Sequence, residues 1–158
     1  MPYDFTLLRI HKCTNEVALS LNKQLALALV TSFSEVVDPH PSDSPYYFLN
    51  KELEIANEFP ELHFHLEAVV LDYHFTFYFW KDYILIELGA GNHPVSLFHQ
   101  VRKYASRIAD FGYKVESPLD NCMLDMEEGI AANIQAYHQW NGLVENVVDN
   151  INKEDDMY

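Results

Sequence analysis

The chain has 158 residues, 49% of them hydrophobic and 14% aromatic, enough apolar material for one domain with a sizeable core and too much for a disordered chain. Ten lysines and arginines stand against 24 aspartates and glutamates, a formal net charge of −14. That balance argues against nucleic acid or an anionic membrane as a partner, since both need a cationic footprint, and favours a soluble protein that steers toward something basic.

Residues Tyr3 to Ile10 read as a short strand, with Tyr3, Phe5 and Leu7 on one face and Asp4, Thr6 and Leu8 on the other. Thr14 or Asn15 caps an expected helix to about Phe33, in which Leu21, Leu25 and Ala28 form one stripe. Three prolines between Asp38 and Pro45 make a loop. A short helix from about Tyr46 ends at Phe59-Pro60, because proline denies the preceding residue a helical geometry.

Leu62 to Leu88 is dense in Val, Ile, Phe, Tyr and Trp, the residue types that fit a pleated surface. Polar breaks at Leu71-Asp72 and Lys81-Asp82 divide it into three strands of an antiparallel meander. In the first, Leu62, Phe64, Leu66 and Ala68 share one face, and His63, His65 and Glu67 share the other. The second is apolar on both faces, Phe75, Phe77 and Phe79 against His74, Thr76, Tyr78 and Trp80. Such a strand is either covered on both sides or presents an aromatic binding face.

A helix follows from His93-Pro94 to about Asp110, ended by Gly112, and Tyr113 to Ser117 is a further strand. Strand, helix and strand from Tyr83 to Glu116 have the length of a crossover unit. Asp125 caps the last helix, with Glu127 and Glu128 at its positive end. Ile130, Ile134, Tyr137, Asn141, Val144, Val148 and Ile151 step along it in a seven-residue repeat that suits sheet packing or a homodimer seam. Beyond about residue 152 an acidic, frayed tail is expected. These elements make one α+β domain, a mainly antiparallel sheet of four to five strands with helices packed on it.

Charge is uneven. From Val115 onward ten acids face one base, Lys153, so this stretch contributes −9 of the −14. Cys13 and Cys122 stand in no paired spacing, which points to reduced thiols in the cytoplasm. The N-terminal stretch lacks the long apolar run of a signal peptide, and no run approaches the ~20 apolar residues that span a bilayer.

Two constellations could carry function. Acids and aromatics form the first, with Glu67, Asp72, Tyr78, Trp80, Asp82, Asp120, Asp125, Glu127 and Glu128 as candidate contacts for a basic protein; no cofactor is implied. The second is a metal-dependent enzyme site on His63, His65 and Glu67, which strict alternation would place on one face, joined by His74 from the next strand. Gly89-Ala90-Gly91-Asn92 lacks the lysine and third glycine of a phosphate loop.

The opening Tyr3-to-Ile10 strand, the helix ending in Phe59-Pro60 and the meander closing at Leu88 resemble the element order of small acidic bacterial proteins, many of them toxin-immunity proteins. The helix leading into Gly112-Tyr113-Lys114-Val115 continues it. In that set a Gly-Tyr-x-Val strand is followed by an Asp-Pro-Gln turn and then Leu-Asp. Leu124-Asp125 matches, while Glu116-Ser117-Pro118-Leu119 keeps only the proline. The resemblance implies a non-enzymatic protein that caps a cognate toxin, and it carries over no catalytic residue.

Overall fold

A computed structural model describes residues 3–37, 61–89 and 94–139. The expectations for the proline loop, the helix from Tyr46, the glycine turn from residue 90 onward, and the seam and tail beyond residue 139 lie outside the described residues. The described elements are β1 (Tyr3–Arg9), α1 (Asn15–Ser32), β2 (Val36–Val37), β3 (Leu62–Val70) and β4 (Tyr73–Trp80). They continue with β5 (Tyr83–Leu88), α2 (Pro94–Ala109), β6 (Tyr113–Glu116), β7 (Met123–Leu124) and a helix over 126–139, α3. The fold is α+β, built on one seven-stranded sheet of order β2-β3-β4-β5-β1-β6-β7.

Seven strands exceed the four to five expected because β2 and β7 have two residues each, too few to show a pattern. Every neighbouring pair is antiparallel. The β5-α2-β6 unit does return a parallel strand, as its length suggests, but β1 lies between the two and pairs with both.

One face of the sheet is dry. Phe5 and Leu7 of β1, Phe64, Leu66 and Ala68 of β3, Phe75, Phe77 and Phe79 of β4 and Ile84, Ile86 and Leu88 of β5 are fully buried. They pack with Leu25 and Leu29 of α1, Phe98, Val101 and Ile108 of α2, and Ile130 and Tyr137 of α3. All three described helices therefore cover the same side.

Tyr104 of α2 sits at the centre, edge-on to Phe33, Phe75 and Phe77 at 5.0, 5.6 and 5.1 Å. Its hydroxyl donates to Glu35 Oε1 at 2.9 Å. This geometry satisfies both the ring quadrupoles and the one polar atom. Tyr3 ties α3 down: its ring meets Phe98 and Tyr137 edge-on, and its hydroxyl donates to Asn133 Oδ1 at 2.8 Å. Gly129 makes that approach feasible, because a Cβ there would lie 2.4 Å from Val115 Cβ.

Burial holds the phenols protonated and gives the fold a defined alkaline limit. Tyr113 and Tyr3 are each pushed up to about 12, chiefly by desolvation, and Tyr104 moves in the same direction for the same cause. In the unfolded chain these phenols titrate near 10. The folded state therefore binds more protons in this range, so stability is intact below pH 10 and falls as pH rises from 10 through 12. Ultraviolet titration of tyrosinate alongside circular dichroism should show these phenols ionising only as the chain unfolds. All ten tyrosines ionising together near pH 10 with the fold retained would contradict it.

Candidate functional site

Strand alternation turns a second set of side chains away from the helices, and register aligns them in rows across the sheet. Glu67, Thr76, Glu87 and Asp4 form one row, and His65, Tyr78, Leu85 and Thr6 the next. Tyr83, Leu8 and Lys114 follow, with Trp80 stacked on Tyr83 at 5.6 Å and 16° between planes. Among the described residues no helix lies over this outward face. Tyr78, Trp80, Tyr83 and Leu85 are half-buried by one another and their neighbours, whereas Asp4 is exposed.

Carboxylates border the aromatic stripe on both sides. The Tyr78 phenol is shifted upward by burial first, then by the charges of Glu87, Glu67 and Asp4. Tyr83 is shifted upward by burial, then by Glu61 and Glu116. The Asp4 carboxyl is itself raised by partial burial. The arrangement offers large apolar rings within a negative frame.

The nine candidate contacts divide into groups. Glu67, Tyr78 and Trp80 share the outward face. Asp72 lies at the β3–β4 turn and Asp82 at the β4–β5 turn, at opposite ends of those strands. Asp120, Asp125, Glu127 and Glu128 lie at the far edge, around β7 and the start of α3. Several of those work within the fold: Asp125 Oδ1 accepts the Glu128 N–H at 3.0 Å as a helix cap, and Glu127 pairs with Arg102. Asp120 accepts the Cys122 N–H at 3.3 Å, and hydrogen bonds from Ser117 and Cys122 hold its carboxyl below the usual range.

The histidine constellation does not assemble as alternation implies. Leu62 faces Trp80, but Phe64 rather than His63 faces Phe79. This β-bulge inserts one residue and turns His63 to the helix side, where it is 3% exposed. His65 and Glu67 remain on the outward face, and His74 approaches Glu67 at 3.8 Å. Among the described residues no three His, Cys, Asp or Glu side chains come together to hold a metal ion.

His63 instead joins a buried polar network under α1. Asn22, fully buried, accepts through Oδ1 from Arg9 Nη2 at 3.1 Å and from the Tyr113 hydroxyl at 3.0 Å. Its Nδ2 donates to the Trp80 carbonyl at 3.1 Å and meets His63 Nδ1 at 2.9 Å. A guanidinium only donates and a carbonyl only accepts, so the amide orientation is fixed. His63 Nδ1 must then accept, and Nε2–H donates to Asn15 Oδ1 at 2.7 Å. The neutral tautomer is thereby set.

Among the described residues, a shallow cleft of about 200 Å³ lies between α2 and α3, lined by Phe98, Ile130 and Ile134 with the Arg102–Glu127 pair beside them. Comparison with protein-family models, curated proteins and solved structures finds no match. The face is thus read from its own chemistry. Asp4, Tyr83, Glu87 and Glu116 belong to it and were not among the expected contacts. Asp4 did show its side by alternation, but the pairing of β1 with β5, which brings it beside Glu87, has no local signal.

Proposed function

We propose that this protein is a non-enzymatic binding protein that neutralises a basic protein partner, in the manner of a toxin-immunity protein, by covering it with the outward face of the sheet. The supporting observation is the stripe Tyr78, Trp80 and Tyr83, turned away from the core of the described residues and bordered by Asp4, Glu67 and Glu87. Aromatic residues in a desolvated centre dominate interface energies. Acidic side chains around them speed encounter with a positive surface and fix its orientation. The net charge of −14 adds a long-range field of the same sign, and the shared segments of the acidic immunity-like set agree with this reading.

The test is co-expression with each basic protein encoded by the genes flanking this one, scored for relief of toxicity. Growth should be restored, and the purified pair should form a complex whose association slows by about tenfold or more as salt is raised from low to physiological strength. Reversing Asp4 and Glu87 to lysine should slow association in the same way. No rescue and no complex would overturn the proposal, and association insensitive to salt would remove its electrostatic part.

A further inference from the structure

We infer that the tip of the β3–β4 hairpin is the apolar anchor of this interface, with Leu71 entering an apolar pocket of the cationic partner. The inference rests on the reading of the outward face given above.

The turn between β3 and β4 has two residues, Leu71 and Asp72, and both have positive φ, +49° and +69°. Two-residue hairpins of this hand suit Asn-Gly or Asp-Gly, because a left-handed backbone brings Cβ against the following carbonyl. Leucine has no polar atom to offset that crowding. Nor does the side chain contribute to its own core, since Leu71 is 83% exposed. A residue that strains the backbone and stays exposed among the described residues marks a use outside the core.

Its surroundings suggest which use. Val69 is exposed two residues before it, and Val37 is exposed on the neighbouring strand β2; register places both on the outward face, Val69 opposite His74 and Val37 opposite Glu67. The apolar corner is therefore continuous with the row Glu67, Thr76, Glu87 and Asp4. Asp72 and Glu67 flank the corner with negative charge, so the complementary surface is an apolar pocket with a basic rim. Leu119, equally exposed at 85%, lies at the opposite edge of the sheet and has no positive φ. It serves as the control.

The experiment compares Leu71→Asn, Leu71→Met, Leu119→Asn and Trp80→Ala in the full chain, with the basic protein that the co-expression test pairs with it as probe. Asparagine tolerates the left-handed region, so Leu71→Asn should raise Tm by about 2–4 °C while weakening the complex by about tenfold or more. Leu71→Met and Leu119→Asn should bind like the parent. Parental affinity in Leu71→Asn together with loss of binding in Trp80→Ala would overturn the anchor and leave the outward-face reading standing. Parental affinity in both would overturn both. An unraised Tm in Leu71→Asn would overturn the strain on which the inference is built.

Discussion

Replacing Asn22 by alanine should cost about 3–5 kcal/mol of folding stability, the size of effect seen when one member of a buried charged network is removed. Native domains have only about 5–15 kcal/mol to lose. One amide satisfies four groups: the Arg9 guanidinium, the Tyr113 hydroxyl, the Trp80 carbonyl and His63 Nδ1. Alanine leaves all four without that partner, and Arg9 is 4% exposed. Arg9 keeps its Nε bond to the Lys81 carbonyl at 3.0 Å and its place over the Tyr113 ring, which prevents complete loss. Urea denaturation should show the midpoint falling with an unchanged slope. The double variant Arg9→Met with Asn22→Leu should recover only the part of the loss that comes from the orphaned Arg9 charge, because the Tyr113 hydroxyl, the Trp80 carbonyl and His63 Nδ1 still lack that partner. A single-variant cost below about 1 kcal/mol would mean that water replaces the amide.

The same residue shows where sequence reading reaches its limit. The boundaries of α1 are legible, and of the two cap candidates, Thr14 and Asn15, it is Thr14 whose Oγ1 accepts the Val17 N–H at 3.3 Å. The stripe is not. Leu21 is exposed at 36%, and the buried face runs through Ala18, Asn22, Leu25, Ala26 and Leu29. Counting apolar residues rotates the helix away from Asn22, because an asparagine buried for its hydrogen bonds looks like a solvent position until its partners are known.

The meander behaves differently. Its three strands and two turns lie where hydrophobic density and polar breaks put them, since Phe75, Phe77 and Phe79 bury in step with the pleat. Alternation fails at the start of β3, where a bulge turns His63 to the helix side and sets Leu62, expected on the face of Phe64, Leu66 and Ala68, opposite the outward-facing Trp80. Nothing in the adjoining residues announces it. Long-range pairing is also silent: β1 is recognisable as a strand, yet its insertion between β5 and β6 follows from the packing of the whole chain. That insertion places Asp4 beside Glu87 and completes the acidic row.

Trp80→Ala should separate binding from folding, weakening the complex with the basic partner by about 2–4 kcal/mol, roughly 30- to 1000-fold in Kd. The fold should remain intact. Trp80 serves the fold through its backbone carbonyl, which accepts from Asn22 Nδ2, and alanine keeps that carbonyl. Its indole stacks on Tyr83 on the outward face, outside the dry core. The inward neighbour Phe79, fully buried, gives the opposite pattern: Phe79→Ala should cost about 3–5 kcal/mol of stability through the cavity it opens. Kinetics sharpen the contrast further. Loss of an aromatic anchor acts mainly on dissociation, whereas reversal of Asp4 and Glu87 acts on association and its salt dependence. Calorimetric titration with stopped-flow measurement would resolve the two. A Trp80→Ala variant that dissociates at the parental rate would show that the stripe is not the centre of the interface, even if the acidic row steers the encounter.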